Sequence, residues 1–286
     1  MMPLRRFTIH QPHSVAEAAE MLAHHGEKAR LYAGGTELLL AMKHDLLRYD
    51  HLVDAKTIPD LNKIELIDST VCIGALATHR SIENSSLVKE KLPVIAEMER
   101  NVANVRVRAT GTLGGNLCFA EPHSDPAALL LALQAKVRVQ GRTGEKALEM
   151  SEFIAEAYET TLGPDELLTR INVPVLTPTQ RAVYLKFQIH ERPILGLALV
   201  LDMGEAGRVI TNARAVVGSV SPTPCRSDQA DAMLVGSRDQ VKKQLVDAAQ
   251  ALADAADPVD DLEGSAEYKR HLIGVFLRRA FTKALS

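Results

Sequence analysis

The sequence predicts an α+β fold in two consecutive parts. Residues 1–176 mix short strands and helices around two glycine-rich loops, whereas residues 177–286 contain three strands followed by helices. A chain of 286 residues is long enough for two domains. Pro174 and Pro178 bracket the expected linker between them, within residues 173–179.

A capping box predicts the first helix. Ser14 and Glu17 are three residues apart, the spacing that lets each side chain bond a backbone N–H of the first turn, and Gly26 suits the helix end after His25. The other predicted elements of the first part are short. The strands are Leu31–Ala33, Leu52–Val53, Val71–Ile73 and Lys136–Val139, and the helices are Val94–Val102 and Ala127–Gln134.

The second part has longer elements. Alternating and continuous apolar residues predict three strands that form a meander, and helical spacing predicts two helices after them. The three strands and two helices are Ala182–Gln188, Leu195–Asp202, Val209–Val217, Asp239–Ala256 and Ala266–Leu285.

Composition excludes several classes of protein. The 33 basic and 36 acidic residues nearly cancel, which disfavours general nucleic-acid binding. The longest apolar runs, Ile194–Leu201 and Ala127–Leu133, are far shorter than the ~20 residues of a membrane span, and the N-terminal residues lack a secretory signal. Three distant cysteines form no C-x-x-C motif, and the ten histidines form no H-x-x-x-H motif. We therefore expect a cytoplasmic protein that itself binds no iron–sulfur cluster and no metal.

Two glycine loops are the strongest candidates for a binding site. The first extends from Tyr32 to Leu38 around Gly34 and Gly35, and the second extends from Gly111 to Asn116. Glycine lets consecutive N–H groups face one concavity, and Thr36 and Thr112 add hydroxyl donors, so the pair suits a diphosphate. The alternative is that each Gly-Gly pair makes only a tight turn. Neither loop matches G-x-G-x-x-G or a P-loop.

Asp125 allows two interpretations. Asp125 and Pro126 suit the N-cap and the first turn of the predicted helix, which is a structural role. The Asp125 carboxylate could also accept a hydrogen bond from a ligand hydroxyl near the second loop.

These segments resemble the FAD-binding subunit of the molybdenum hydroxylases. The resemblance lies in residues 33–37 (AGGTE), residues 111–116 (GTLGGN), residues 122–125 (PHSD) and the apolar run 129–133, and it extends over nearly the whole chain. It implies a non-Rossmann FAD-binding fold of two subdomains, roughly 1–55 and 56–176, similar to p-cresol methylhydroxylase and vanillyl-alcohol oxidase. A C-terminal domain, 177–286, would consist of a three-stranded antiparallel sheet plus helices.

The resemblance also implies the cofactor site, with noncovalent FAD and its diphosphate between the two loops. It assigns no catalytic residue to this chain. The cofactor-binding residues that it implies are Tyr32, Ala33, Gly34, Gly35, Thr36, Glu37, Leu38, Thr78, Gly111, Thr112, Gly114, Gly115, Asn116, Asp125, Leu168 and Lys186.

One segment departs from the family pattern. Many members place an aromatic residue near the isoalloxazine ring after the strand that contains the lysine, whereas this chain has residues 190–195 (HERPIL) there. An aliphatic side chain is expected to take the place of that aromatic. Cys118 lies where the second loop would pass the flavin, and we interpret it as a small buried residue.

The family role is that of an electron-transfer subunit. A large subunit with the molybdenum cofactor oxidises substrate, and a small subunit with two [2Fe–2S] clusters passes electrons to FAD and then to an external acceptor, in a dimer of heterotrimers. Two alternatives remain open at this point: a self-contained FAD-dependent oxidoreductase on a similar fold, and a nucleotide-binding module without activity.

Overall fold

The computed structural model describes residues 4–204 and 207–286, and it confirms the predicted α+β fold. Three main sheets follow one another along the chain, each with helices packed against it. Among the described residues, no helix is long and apolar enough to cross a membrane.

The first sheet is parallel and has three strands in the order β1-β3-β2. The Ser14 hydroxyl accepts the Glu17 N–H at the start of α1, as predicted, and Gly26 ends that helix with a φ of +53°. Because β2 and β3 are parallel neighbours, the loops that follow them leave the same edge of the sheet. The elements are β1 Thr8–His10, α1 Val15–His25, β2 Ala29–Tyr32, α2 Leu38–Lys43 and β3 His51–Asp54.

The second sheet is antiparallel, with five strands in the order β4-β5-β10-β6-β7. Its strands and the hairpin β8–β9 are β4 Ile64–Ile67, β5 Thr70–Gly74, β6 Lys136–Gly141, β7 Gly144–Glu149, β8 Ile154–Glu156, β9 Glu159–Thr160 and β10 Leu167–Pro174. Its helices are α3 His79–Asn84, α4 Ser86–Lys91, α5 Pro93–Arg100, α6 Val105–Thr110, α7 Leu113–Phe119, α8 Asp125–Ala132 and α9 Met150–Phe153. The central strand β10 extends to Pro174, so it occupies the start of the expected linker.

The third sheet contains the predicted meander β11-β12-β13, and two short strands, β14 and β15, both pair with β13. The central strand β12 is buried on both faces: Leu197 and Leu199 face the core formed with α11 and α12, whereas Ala198 and Val200 face the core of the second sheet. Burial on both faces explains the apolar run 194–201 without a membrane. The elements are β11 Gln180–Gln188, β12 Pro193–Met203, β13 Val209–Gly218, β14 Cys225–Arg226, α10 Asp228–Met233, β15 Gly236–Ser237, α11 Arg238–Ala256 and α12 Ala266–Leu285.

Candidate functional site

The first glycine loop connects β2 to α2 and presents a row of backbone donors. Within the described residues, the five consecutive N–H groups from Gly34 to Leu38 have no hydrogen-bond acceptor. Gly35 has a φ of +72°, a left-handed conformation that glycine adopts without strain. The whole loop is part-exposed. A run of unpaired N–H groups at an accessible bend is an anion-binding concavity.

The second glycine segment is not the N–H-rich loop that the sequence predicts. It follows a helix, α6, rather than a strand, and most of it lies within the short helix α7. The N–H of Leu113 donates to Ala77 O at 3.0 Å and the N–H of Gly114 donates to Ala75 O at 2.9 Å. The Gly115 N–H donates to the Thr112 hydroxyl, which caps the helix. These donors are therefore already used inside the protein.

Glycine in the second segment serves close packing instead. A Cβ on Gly114 would lie 2.6 Å from the Ala75 side chain. Thr112 pairs with Thr78 in an isolated antiparallel bridge, so the second segment is fastened to the turn between β5 and α3. Both threonine hydroxyls accept a backbone N–H as helix caps, and each still has its own hydrogen to donate.

The two glycine segments touch at their backbones. A Cβ on Gly34 would lie 2.2 Å from Thr110 O and 2.8 Å from Gly111 Cα, closer than any side chain permits. The structure therefore brings the predicted residues 32–38, 78 and 111–115 together, and the contact requires glycine at position 34.

Lys56 also belongs to this site, although it lies outside both glycine motifs. Its ammonium group donates to Ala33 O at 3.1 Å and lies 3.6 Å from the centroid of the Tyr32 ring. Lys56 follows β3, and the parallel pairing of β2 and β3 brings it beside the first loop. A basic residue just after the strand that pairs with β2 is the sequence signal for it.

Asp125, Tyr184 and Lys186 form a buried cluster. The Tyr184 hydroxyl donates to Asp125 Oδ1 at 2.9 Å, and the Lys186 ammonium donates to Asp125 Oδ2 at 3.1 Å and to Asn101 O. Burial raises the pKa of Asp125, against the opposing effect of Lys186, and burial beside Asp125 raises the pKa of Tyr184 well above its usual value. The cluster joins α8 to the third sheet.

The N-cap role predicted for Asp125 is wrong. Ser124 is the N-cap residue of α8, and Asp125 is the first helical residue. Both Asp125 carboxylate oxygens are taken by side chains of β11, so the carboxylate does not bond the N–H groups of its own helix turn.

A buried ion pair lies beside this cluster. His79 Nδ1 and Glu99 Oε2 are 2.6 Å apart, with side chains 3% and 0% exposed. Burial disfavours the His79 cation, but the Glu99 carboxylate outweighs burial and raises the pKa of His79. Asp125 adds to this effect, which indicates that the two buried groups are neighbours. A Cβ on Gly111 would lie 3.2 Å from the His79 ring, so this ion pair packs directly against the second glycine segment.

The other predicted residues occupy different surroundings. Leu168 is buried in the core of the second sheet, and Asn116 Oδ1 accepts a hydrogen bond from the Ser124 hydroxyl at 2.6 Å. Glu37 forms an ion pair with Arg192, which also pairs with Glu121. The turn between β11 and β12, where the family pattern is broken, thus reaches the first loop through an arginine.

Cys118 is half-buried, whereas the sequence predicts a buried residue. Burial raises its pKa to about 12. Because the thiolate is the reactive form, this environment suits a structural residue.

Comparison with known proteins decides the family. Two protein families match the sequence. The family "FAD binding domain in molybdopterin dehydrogenase" matches residues 5–176, and the family "CO dehydrogenase flavoprotein C-terminal domain" matches residues 185–284. The chain belongs to the FAD-binding medium subunits of the molybdenum hydroxylases.

Relatives match it over nearly their full length. It is 33% identical to the carbon monoxide dehydrogenase medium chain of Hydrogenophaga pseudoflava, covering 98% of this chain and 97% of the relative. It is 36% identical to that of Afipia carboxidovorans, covering 97% and 96%. A crystal structure of the Cu,Mo-CO dehydrogenase matches with a TM-score of 0.94 at 33% identity, over 99% of both chains.

The family assignment confirms the expected cofactor and enzyme class. The chain is the flavoprotein component of an oxidoreductase of the carbon monoxide and xanthine dehydrogenase type. Its own cofactor is FAD, and homologous complexes hold the molybdenum cofactor and the iron–sulfur clusters in other subunits. The unpaired N–H groups of the first loop fit the oxygens of the FAD diphosphate. The contacts of individual residues with FAD stay predictions.

Gly34→Ala is expected to separate the two glycine segments. The added Cβ would meet the Thr110 carbonyl at 2.2 Å, and backbone must move to make room. Purified protein should contain less FAD, measured by flavin absorbance per chain, and should melt at a lower temperature. Gly274→Ala is the matched control, because its Cβ would meet nothing closer than 3.8 Å. Full FAD content in Gly34→Ala would show that FAD binding does not depend on the contact between Gly34 and the second glycine segment.

The His79–Glu99 pair predicts a pH dependence of stability. A histidine whose folded pKa is raised contributes stability that is full below its unfolded pKa, about 6.5, and is lost as pH rises through the folded value. The difference in unfolding free energy between wild type and His79→Gln should therefore be largest near pH 6 and shrink toward pH 9. Urea unfolding at several pH values measures it, and the exposed His190→Gln is the control. A difference that is constant with pH would exclude a protonated His79.

Proposed function

We propose that this chain is the electron-transfer subunit of a molybdenum-containing hydroxylase or dehydrogenase. It receives electrons from the [2Fe–2S] clusters of a partner small subunit and passes them through FAD to an external acceptor. The observation that supports the proposal most strongly is the row of five unpaired N–H groups at the first glycine loop, in a chain that matches flavoprotein subunits from end to end. Bound FAD supplies the ability to exchange electrons one at a time or in pairs.

In this proposal the first loop binds the FAD diphosphate. Residues 34–38 donate their N–H groups to phosphate oxygens, and Thr36 adds a hydroxyl donor. The ammonium of Lys56, held at Ala33 O, pairs with Asp54 Oδ1 at 2.6 Å, so it neutralises the carboxylate that would otherwise repel an anion beside the loop. Tyr32 and Glu37 position the two ends of the loop, through Lys56 and Arg192 respectively.

The second glycine segment forms the opposite wall of the site. Its backbone N–H groups are mostly used internally, so its part is shape and hydroxyl donation rather than an N–H cradle. Thr78 and Thr112 each retain a hydroxyl hydrogen for the cofactor. The remaining residues proposed to contact FAD are Gly111, Gly114, Gly115, Asn116, Asp125, Leu168 and Lys186.

Asp125 and Lys186 lie deeper than the diphosphate loop. Their side chains are 4% and 10% exposed and are paired with each other. We propose that the exposed atoms of this ion pair bind the polyol or adenosine side of FAD. The separate contribution of this carboxylate–lysine pair is to hold α8 against the third sheet.

The partners follow from the same family. Homologues are medium subunits of complexes that also have a large and a small subunit. We propose the same partners here, assembled as a dimer of heterotrimers, with substrate oxidation in the large subunit. The cytoplasmic location expected from the composition is part of the proposal, and cell fractionation tests it.

Lys56→Met should weaken FAD binding without affecting a flavin that lacks phosphate. Removing the ammonium leaves the Asp54 carboxylate uncompensated beside the diphosphate, which should raise the Kd for FAD about tenfold. The Kd for riboflavin should stay unchanged. Fluorescence titration of FAD-depleted protein measures both values, and Lys63→Met, at an exposed ion pair with Asp60, is the control. An equal effect on FAD and riboflavin would place Lys56 outside the diphosphate site.

Reconstitution tests the electron-transfer role. The FAD-loaded chain is mixed anaerobically with its small subunit, whose clusters have been chemically reduced and freed of excess reductant. The flavin absorbance should bleach, and an added acceptor should restore it. The chain alone should oxidise no organic substrate. Turnover by the isolated chain, at an ordinary rate of ~1–1000 per second, would favour a self-contained oxidoreductase. Unbleached flavin with the reduced small subunit would contradict the proposal.

A further inference from the structure

Three histidines from separate elements meet at one corner of the first sheet. They are His10 at the end of β1, His25 at the end of α1 and His51 at the start of β3, and one ring nitrogen from each lies within 4.8 Å of the others. His10 Nε2 and His51 Nδ1 are 3.0 Å apart, within hydrogen-bond distance. The rings of His25 and His51 stack with their centroids 3.9 Å apart. The histidines are far apart in sequence, so the spacing motifs for metal ligands did not reveal them.

The fold determines this arrangement. In the parallel pairing of β1 with β3, His51 is opposite Thr8 and His10 is opposite Val53, so the two rings lie diagonally across neighbouring strands. α1 ends above the same corner with His25 as its last residue. All three side chains are part-exposed, so the cluster is open to solvent and to ions in it.

Imidazole nitrogens are common metal ligands, and the helix end beside this cluster suits a cation. The carboxyl end of a helix has a partial negative charge, which favours a cation beside His25. Three imidazoles close to a helix carboxyl end form an environment that suits a metal cation.

We propose that His10, His25 and His51 bind a divalent transition-metal ion, of which Zn²⁺ is the expected occupant, with water in the fourth position. Imidazole nitrogens bind Zn²⁺ at 2.0–2.1 Å, so two ligands on a tetrahedral ion are about 3.3 Å apart. The observed separations are 3.0 Å for one pair and no more than 4.8 Å for any, so the ligand atoms already lie near that spacing, and the rings are part-exposed.

The proposed ion has a structural role at a distance from the FAD chemistry. It would join β1, α1 and β3, and β3 is the strand that pairs with β2, which leads into the first glycine loop. An ion that binds the folded chain stabilises it by mass action. The proposal is independent of the electron-transfer role, because none of the three histidines is among the residues proposed to contact FAD.

Zinc titration of the FAD-loaded full chain tests the site. After dialysis against chelator, isothermal titration with ZnCl₂ should show one ion per chain, and the melting temperature should rise with added Zn²⁺. His10→Gln, His25→Gln and His51→Gln should each weaken binding by more than the about 10–100-fold typical of losing an outer-shell partner. His24→Gln is the matched control, because His24 is the sequence neighbour of His25 and lies outside the set of three.

Two outcomes would overturn the proposal. One is no saturable binding by the wild-type chain, and the other is an equal loss of affinity in His24→Gln and in the three cluster variants. If a cluster variant fails to fold, Co²⁺ added to the wild-type chain gives the answer, since tetrahedral coordination by three nitrogens and water produces visible absorption bands far more intense than those of hydrated Co²⁺. Absence of those bands also rejects the site.

Discussion

The contact between Gly34 and the backbone of Thr110–Gly111 is the constraint on which the site depends. No side chain fits between these segments, since a Cβ on Gly34 would lie 2.2 Å from the Thr110 carbonyl. The contact fixes the first loop against the end of α6, and the loop keeps five consecutive N–H groups without acceptors. Backbone donors without a partner in the protein are free to bond water or a ligand. A part-exposed row of them is stabilised by an anion, which is what a diphosphate supplies.

A buried charged network supports this contact from below. His79 and Lys186 are its cations, and Glu99 and Asp125 are its anions, so a protonated His79 makes the network neutral. A buried charge is costly unless it is paired, and removing one partner leaves the other uncompensated. Because these groups come from α3, α5, α8 and β11, they also connect the second sheet to the third. The charged residues that lie beneath the glycine segments therefore also join the two parts of the chain.

Local patterns predicted the long elements well and the site only in part. The helices after residue 237 and the meander strands were predicted to within a few residues, because period and caps lie in adjacent sequence. The first loop was also predicted, because glycine composition reports backbone freedom. Sequence could not show that Thr112 caps a helix and that its hydroxyl accepts the Gly115 N–H of the second segment. Nor could it show that Tyr184 and Lys186, 59 and 61 residues away, each donate a hydrogen bond to one carboxylate oxygen of Asp125. Lys56 joined the site only through parallel strand pairing.

Hydrogen exchange at the first loop tests the central claim most directly. Amide exchange of residues 34–38 is followed by mass spectrometry with no ligand, with FAD and with riboflavin, at concentrations where each flavin is bound. If the diphosphate accepts these N–H groups, FAD slows their exchange strongly and riboflavin does not, while residues 144–149 in β7 exchange alike in all three states. Unchanged exchange of residues 34–38 in FAD-loaded protein would show that the diphosphate binds elsewhere.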